Sequence, residues 1–176
     1  MPRAGGIVLP VIDGGQAVYA QIRIPYPRKD GPRYLNPTSD LATNPRLSRA
    51  RPAEVQHREV VVTEGEIDAL SAAAAGYRSV AVLSAAYGDE AVAVALAKLS
   101  QPLVIAFDGD DAGRLGADRL AALLVARQRP PVVVDLGEGD LNDAMRQSSD
   151  WPAEMQRVLD SAMADRAASL GAAISR

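Results

Sequence analysis

The chain has 176 residues, 48% of them apolar but only 4% aromatic, which suits one aliphatic core of ordinary domain size and argues against general disorder. It contains no cysteine and a single histidine, His57, so a disulfide scaffold, a cysteine zinc site, thiol redox chemistry and a His-based metal site are all excluded. The formal net charge of -3 hides a split: residues 1–60 hold nine Lys/Arg against five Asp/Glu, whereas residues 61–176 hold ten against seventeen.

In chain order, the first residues (MPRAGGIVLPVIDGG) lack a long apolar run, so no signal peptide is read and a cytoplasmic protein is expected. Ile7–Ile12 and Ala17–Ile24 are apolar runs around the turn signal Asp13-Gly14-Gly15, which predicts a hairpin with Pro10 at an edge. Pro25 to about Arg58 is rich in proline, asparagine and arginine and reads as irregular structure with room for short strands. From Glu59 the pattern becomes strand and helix in alternation. Strands are predicted at 60–63, 79–83, 103–107 and 132–136, and helices at 66–75, 89–99, 111–127, 141–147 and 152–168. Near-continuous apolar strands between amphipathic helices predict an α/β fold with a Rossmann-like parallel sheet covered on both faces, beside a small N-terminal β-hairpin unit. The expected organisation is a basic N-terminal segment at 1–58, an α/β domain at 59–150 and a C-terminal helix at 151–176.

Ligands of open parallel sheets sit beyond the carboxyl ends of the strands. Three predicted strands end in acid there: Glu64-Gly65-Glu66, Asp108-Gly109-Asp110-Asp111 and Glu138-Gly139-Asp140-Leu141-Asn142-Asp143. Carboxylates crowded on one edge repel unless a hard cation joins them, and magnesium takes oxygen ligands with waters and substrate phosphates. Gly65 and Gly109 are read as sharp turns beside the ligands, and Gly113 as a point of close approach. Each acid also has a plain structural use. Asp110, Asp111, Asp140 or Asn142 would cap a helix, and Glu64 and Glu66 would face a helix dipole. Three such coincidences at three strand ends favour one metal site.

With these residues in place, the stretch from about Val60 to Met145 resembles the TOPRIM superfamily, the fold shared by bacterial-type primases, type IA and II topoisomerases and some nucleases. The resemblance rests on Glu64 in VTEGEIDAL and on Asp108 and Asp110 in AFDGDDAG. With the downstream DLND it looks like the primase branch, phage and plasmid primase-helicases included. Asp68 falls where that branch carries a further acid, and Asp140, Asn142 and Asp143 fall at its third acidic motif. LPVIDGGQAVYAQIR followed by PRYLNP is similar to the segment that precedes TOPRIM in primases, with Arg23, Arg33, Tyr34 and Asn36 at the matching positions.

The resemblance implies metal-dependent synthesis of RNA primers on single-stranded DNA, with magnesium or manganese as cofactor. Glu64 would stand nearest the reacting groups as ligand or acid/base, and Asp108 and Asp110 would be ligands. Asp140 and Asp143 would support a second ion or order water. Arg23, Arg33 and Lys29 would steer nucleic acid, with Tyr34 and Asn36 beside them. Implied partners are the template strand, nucleoside triphosphates and a replicative helicase or helicase domain. The alternatives are a TOPRIM nuclease and a non-catalytic module that binds nucleic acid or recruits a helicase. A topoisomerase fits less well, because Tyr77 and Tyr87 fall inside the sheet-and-helix body. The chain departs from a full primase in lacking a zinc ribbon, and in Ser84-Ala85-Ala86-Tyr87-Gly88 where primases carry a Gly-Thr pattern.

Overall fold

Gly14 and Gly15 both take positive φ, 55° and 83°, the left-handed backbone a tight hairpin turn requires. They join β1 (Ile7–Asp13) to β2 (Gln16–Arg23), which pair antiparallel with a register shift between Val11 and Ile12. The expected hairpin is present, and β1 runs through Pro10 because it is the sheet's outer strand. The short β3 (Tyr34–Leu35) pairs with the end of β2 and closes this three-stranded sheet. The structure, a computed structural model, describes residues 5–25, 31–83 and 90–174. Lys29, the Ser84–Gly88 loop and Asp89 lie outside the described residues.

The second sheet has five strands in the order β4-β6-β5-β7-β8. These are β4 (Leu47–Ala50), β5 (Val60–Thr63), β6 (Arg78–Val82), β7 (Leu103–Ile105) and β8 (Val132–Val133). The last four are parallel, as expected, but β4 runs antiparallel along β6. The described part of 25–58 is irregular with the short strands β3 and β4, in line with the expectation; what was not foreseen is that β4 enters the main sheet. Among its described residues the one strand in the main sheet is the polar LSRA, which pairs on one side alone and so needs no apolar run. The basic segment and the sheet therefore share a strand.

Alternation along β5 sends side chains to both faces. Val60 and Val62 pack with Val80, Val82 and Ile105 under α2 (Glu90–Ala97) and α3 (Asp111–Val125), through Leu96, Leu120 and Leu124. Val61 and Val104 pack on the other face under α1 (Glu66–Ala74), α4 (Leu141–Gln147) and α5 (Trp151–Ile174), through Ala72, Leu141, Trp151, Met155 and Leu159. Each fully buried Val or Leu contributes about 1.5–3 kcal/mol, so β5 is fixed from both sides. The Trp151 indole N–H also donates to Ser71 O at 2.6 Å, tying α5 to α1. Val11 and Tyr19 of the hairpin meet Ala69, Ala81 and Leu83, which sets the small sheet against the mouth of the large one.

Candidate metal centre and nucleic-acid cleft

Because β5, β7 and β8 run the same way, the chain leaves all three at one edge. Glu64 follows β5, and its Oε1 is shielded from solvent. Asp108 follows β7 by way of Ala106 and Phe107. Asp110 is the N-cap of α3, its Oδ1 accepting from Gly113 N at 2.7 Å. Asp140 caps α4 in the same way, accepting from Asp143 N at 2.7 Å. A cap occupies one carboxylate oxygen and leaves the other, so the capping role of these two aspartates is compatible with a ligand role.

The loops are locked together by backbone contact. Gly109 N donates to Gly139 O at 2.9 Å, joining the second acidic loop to the third. Asn142 N donates to the buried Asp68 Oδ1 at 3.1 Å, joining the third to α1. A Cβ at Gly109 would strike Gly137 O, and one at Gly113 would strike Asp108 O and stand 2.6 Å from Glu64 Oε1. Gly113 is therefore the expected close approach. Gly65 and Gly109 are not the sharp turns expected: Gly65 is extended at φ -107°, and the positive φ values near the site belong to Gly137 and Gly139. Gly109 is small because another backbone passes over it.

The electrostatics record the crowding. Burial, then the charge of Asp140, pushes Asp68 up to about 7. Burial, then Asp140 and Asp110, pushes Asp108 up to about 6, with Arg33 pulling the other way and Asp143 adding to the rise. The charge of Asp140 thus acts on both Asp68 and Asp108. Among the described residues no three acidic or histidine side chains form a ready-made cation cage. Magnesium does not need one, because it commonly takes one or two carboxylates and completes its shell with water and phosphate. An all-oxygen donor set in which burial and neighbouring acids disfavour the charged form of Asp68 and Asp108 suits such a cation.

A cleft of about 320 Å³ opens over this edge. It is lined by the acids Glu64, Asp68, Asp108 and Asp140, with Gly65 and Asn142, and by Arg23 of β2, Tyr34 of β3 and the β3-flanking Arg33 and Asn36. The Arg23 guanidinium lies over the Tyr34 ring, 4.8 Å from its centroid. Burial raises the Tyr34 hydroxyl pKa, with Arg23 opposing. Asp110, Asp143 and Gly109 stand beside the cleft rather than in its lining.

Gln21 escaped the sequence reading, and the burial of Glu66 was not foreseen in it. Gln21 is buried, lines the cleft and donates to Asn36 Oδ1 at 2.7 Å. The alternation Tyr19, Gln21, Arg23 on β2 was the available signal. Glu66 is a buried carboxylate, raised by desolvation and partly offset by a hydrogen bond with Ser48 of β4. Finding it required knowing that β4 exists.

Residues 61–145 match the Toprim-like family. The match extends beyond those residues to bacterial primases. The chain is 33% identical over 150 residues to a DNA primase of Listeria monocytogenes, a span of 81% of this chain and 24% of that protein. The structure resembles the zinc-binding and RNA polymerase domains of the Aquifex aeolicus primase, with a TM-score of 0.70 at 24% identity, covering 89% of this chain and 40% of that one. It also resembles a DnaG primase catalytic domain bound to single-stranded DNA, with a TM-score of 0.69 at 20% identity over 89% of this chain and 51% of that one. The fold is that of primase catalytic cores. The chain spans about a quarter of the length of the curated relatives it matches.

Proposed function

We propose that the cleft joins ribonucleotides on a single-stranded DNA template with the help of magnesium or manganese. The observation that carries this reading is that carboxylates and guanidinium, phenol and amide groups line one and the same cleft. A carboxylate edge alone repels phosphate. Basic groups in the same cleft supply the attraction that brings phosphates to the acids.

Asp108 and Glu64, with the remaining oxygens of Asp110 and Asp140 and with Asp143, would hold the cation. When bound, the cation supplies neutralisation of charge developing on a phosphoryl group and its leaving pyrophosphate. The chain's own residues do the rest. Glu64, with one oxygen shielded from water, accepts the proton of the attacking hydroxyl. Asp68 holds the third acidic loop through Asn142 N. Arg33, close enough to influence Asp108, keeps a phosphate beside the acids, and Arg23 braced on Tyr34 guides the strand.

Single-stranded DNA and nucleoside triphosphates are the substrates of this reading, and a replicative helicase is its candidate partner. Among the described residues no helix is long and apolar enough to cross a membrane. The test is incubation with single-stranded DNA and labelled ribonucleotides in magnesium or manganese. RNA products support the reading. Cleavage of the template replaces it with a nuclease, and strand binding without either product replaces it with a binding module.

A further inference from the structure

Gln21 lies on the inward face of β2 and is only 8% exposed. Its neighbours on that face are Tyr19, which is core, and Arg23, which reaches the cleft. A glutamine buried there must be hydrogen-bonded, and its Nε2 donates to Asn36 Oδ1 at 2.7 Å. Among the described residues no other hydrogen bond engages either amide. Asn36 is exposed and lines the cleft beside Arg33.

An unrestrained asparagine presents its oxygen or its nitrogen with little preference, and only the nitrogen edge attracts an anion. With Oδ1 held by Gln21, both Nδ2 hydrogens of Asn36 are left for the cleft. We propose that Gln21 is a positioning residue: it fixes the Asn36 amide so that its N–H donors face a phosphate oxygen in the cleft. This rests on the reading of the cleft as a nucleic-acid and nucleotide site. The phosphate is either a phosphodiester of the strand or part of a nucleoside triphosphate, and the two are separable by experiment.

The full chain is compared with Gln21→Met, Asn36→Ala and the double variant, by anisotropy on single-stranded DNA and by calorimetry with a ribonucleoside triphosphate and magnesium. Methionine keeps the length of the side chain and removes the amide without changing charge. Gln21→Met should weaken one or both ligands about three- to tenfold, the worth of one hydrogen bond to phosphate. The salt slope should stay unchanged, because no cation is lost. In the Asn36→Ala background the same change should have no effect, which a merely structural role would not produce. Loss for the strand alone assigns the phosphodiester, and loss for the nucleotide alone assigns the triphosphate. Asn36→Asp, at an exposed position, keeps the contact with Gln21 but removes the donors, and should bind no better than Asn36→Ala. Wild-type affinity in Gln21→Met, an equal loss in the Asn36→Ala background, or full binding by Asn36→Asp overturns the proposal alone. A wild type that binds neither strand nor nucleotide overturns the functional reading and this proposal together.

Discussion

Gly113→Ala sets two effects of opposite sign against each other. Gly113 is the third residue of α3, and alanine is better than glycine inside a helix by about 1 kcal/mol. Propensity alone therefore predicts a more stable protein. Packing predicts the reverse. The added Cβ would stand 2.6 Å from Glu64 Oε1 and collide with Asp108 O, a backbone atom that no side-chain rotation can move. Overpacking of this kind costs about 1–3 kcal/mol, with backbone clashes at the upper end. Subtracting the helix gain leaves a net loss of about 2 kcal/mol, or a melting temperature about 4–8 °C lower for a domain of this size. The relaxation must also push Asp108 and Glu64 apart, so magnesium or manganese affinity should fall as well. Thermal melting in chelator, followed by calorimetric titration with the cation, measures both. A variant that melts at or above the wild-type temperature and binds the cation equally would refute the close packing of α3 against the two acidic loops.

The raised carboxylates give a pH dependence with a definite sign. Asp68 and Asp108 rise from 3.8 in the unfolded chain to about 7 and about 6, so their contribution to stability is present below about pH 4 and lost as pH rises through 6 to 7. The cation-free protein should melt at a lower temperature near pH 8 than near pH 5, while cation affinity should increase over the same interval. Equal melting at both pH values would contradict the crowding. Arg23→Gln and Arg33→Gln should each weaken single-stranded DNA binding and reduce the magnitude of the salt slope by about one, read by titration at several salt concentrations. Unchanged slopes would remove these arginines from strand binding.

The acidic edge was legible because its signal is local. A strand of valines ending in Glu64, or of aliphatics ending in Asp108-Gly109-Asp110, carries the direction of the sheet and the position of the acid together. The spans of β5 and α4 were read to the residue for the same reason, with clear apolar or capping boundaries. What was missed depends on distant pairing. The four residues of β4 contain one leucine and become a strand only against β6, so the basic segment could not be seen to enter the main sheet. Gly109 was assigned to the wrong cause because its crossing by Gly137 O is a tertiary event. Gln21 and Glu66 look like surface residues until β3 and β4 cover them. The three acidic loops show the mirror case, in which Asp110 and Asp140 are helix caps and candidate ligands at once.

The most direct test of the central claim is ribonucleotide incorporation on single-stranded DNA by wild type and Glu64→Gln, with strand affinity measured alongside. The substitution keeps size and polarity and removes one charge and one proton acceptor from the cleft lining. The wild type should make RNA products, and Glu64→Gln should lose on the order of a hundredfold or more in rate, with DNA affinity nearly unchanged because the cationic contacts are those of Arg23 and Arg33. Full synthesis by Glu64→Gln, or template cleavage in place of synthesis by the wild type, would contradict the account.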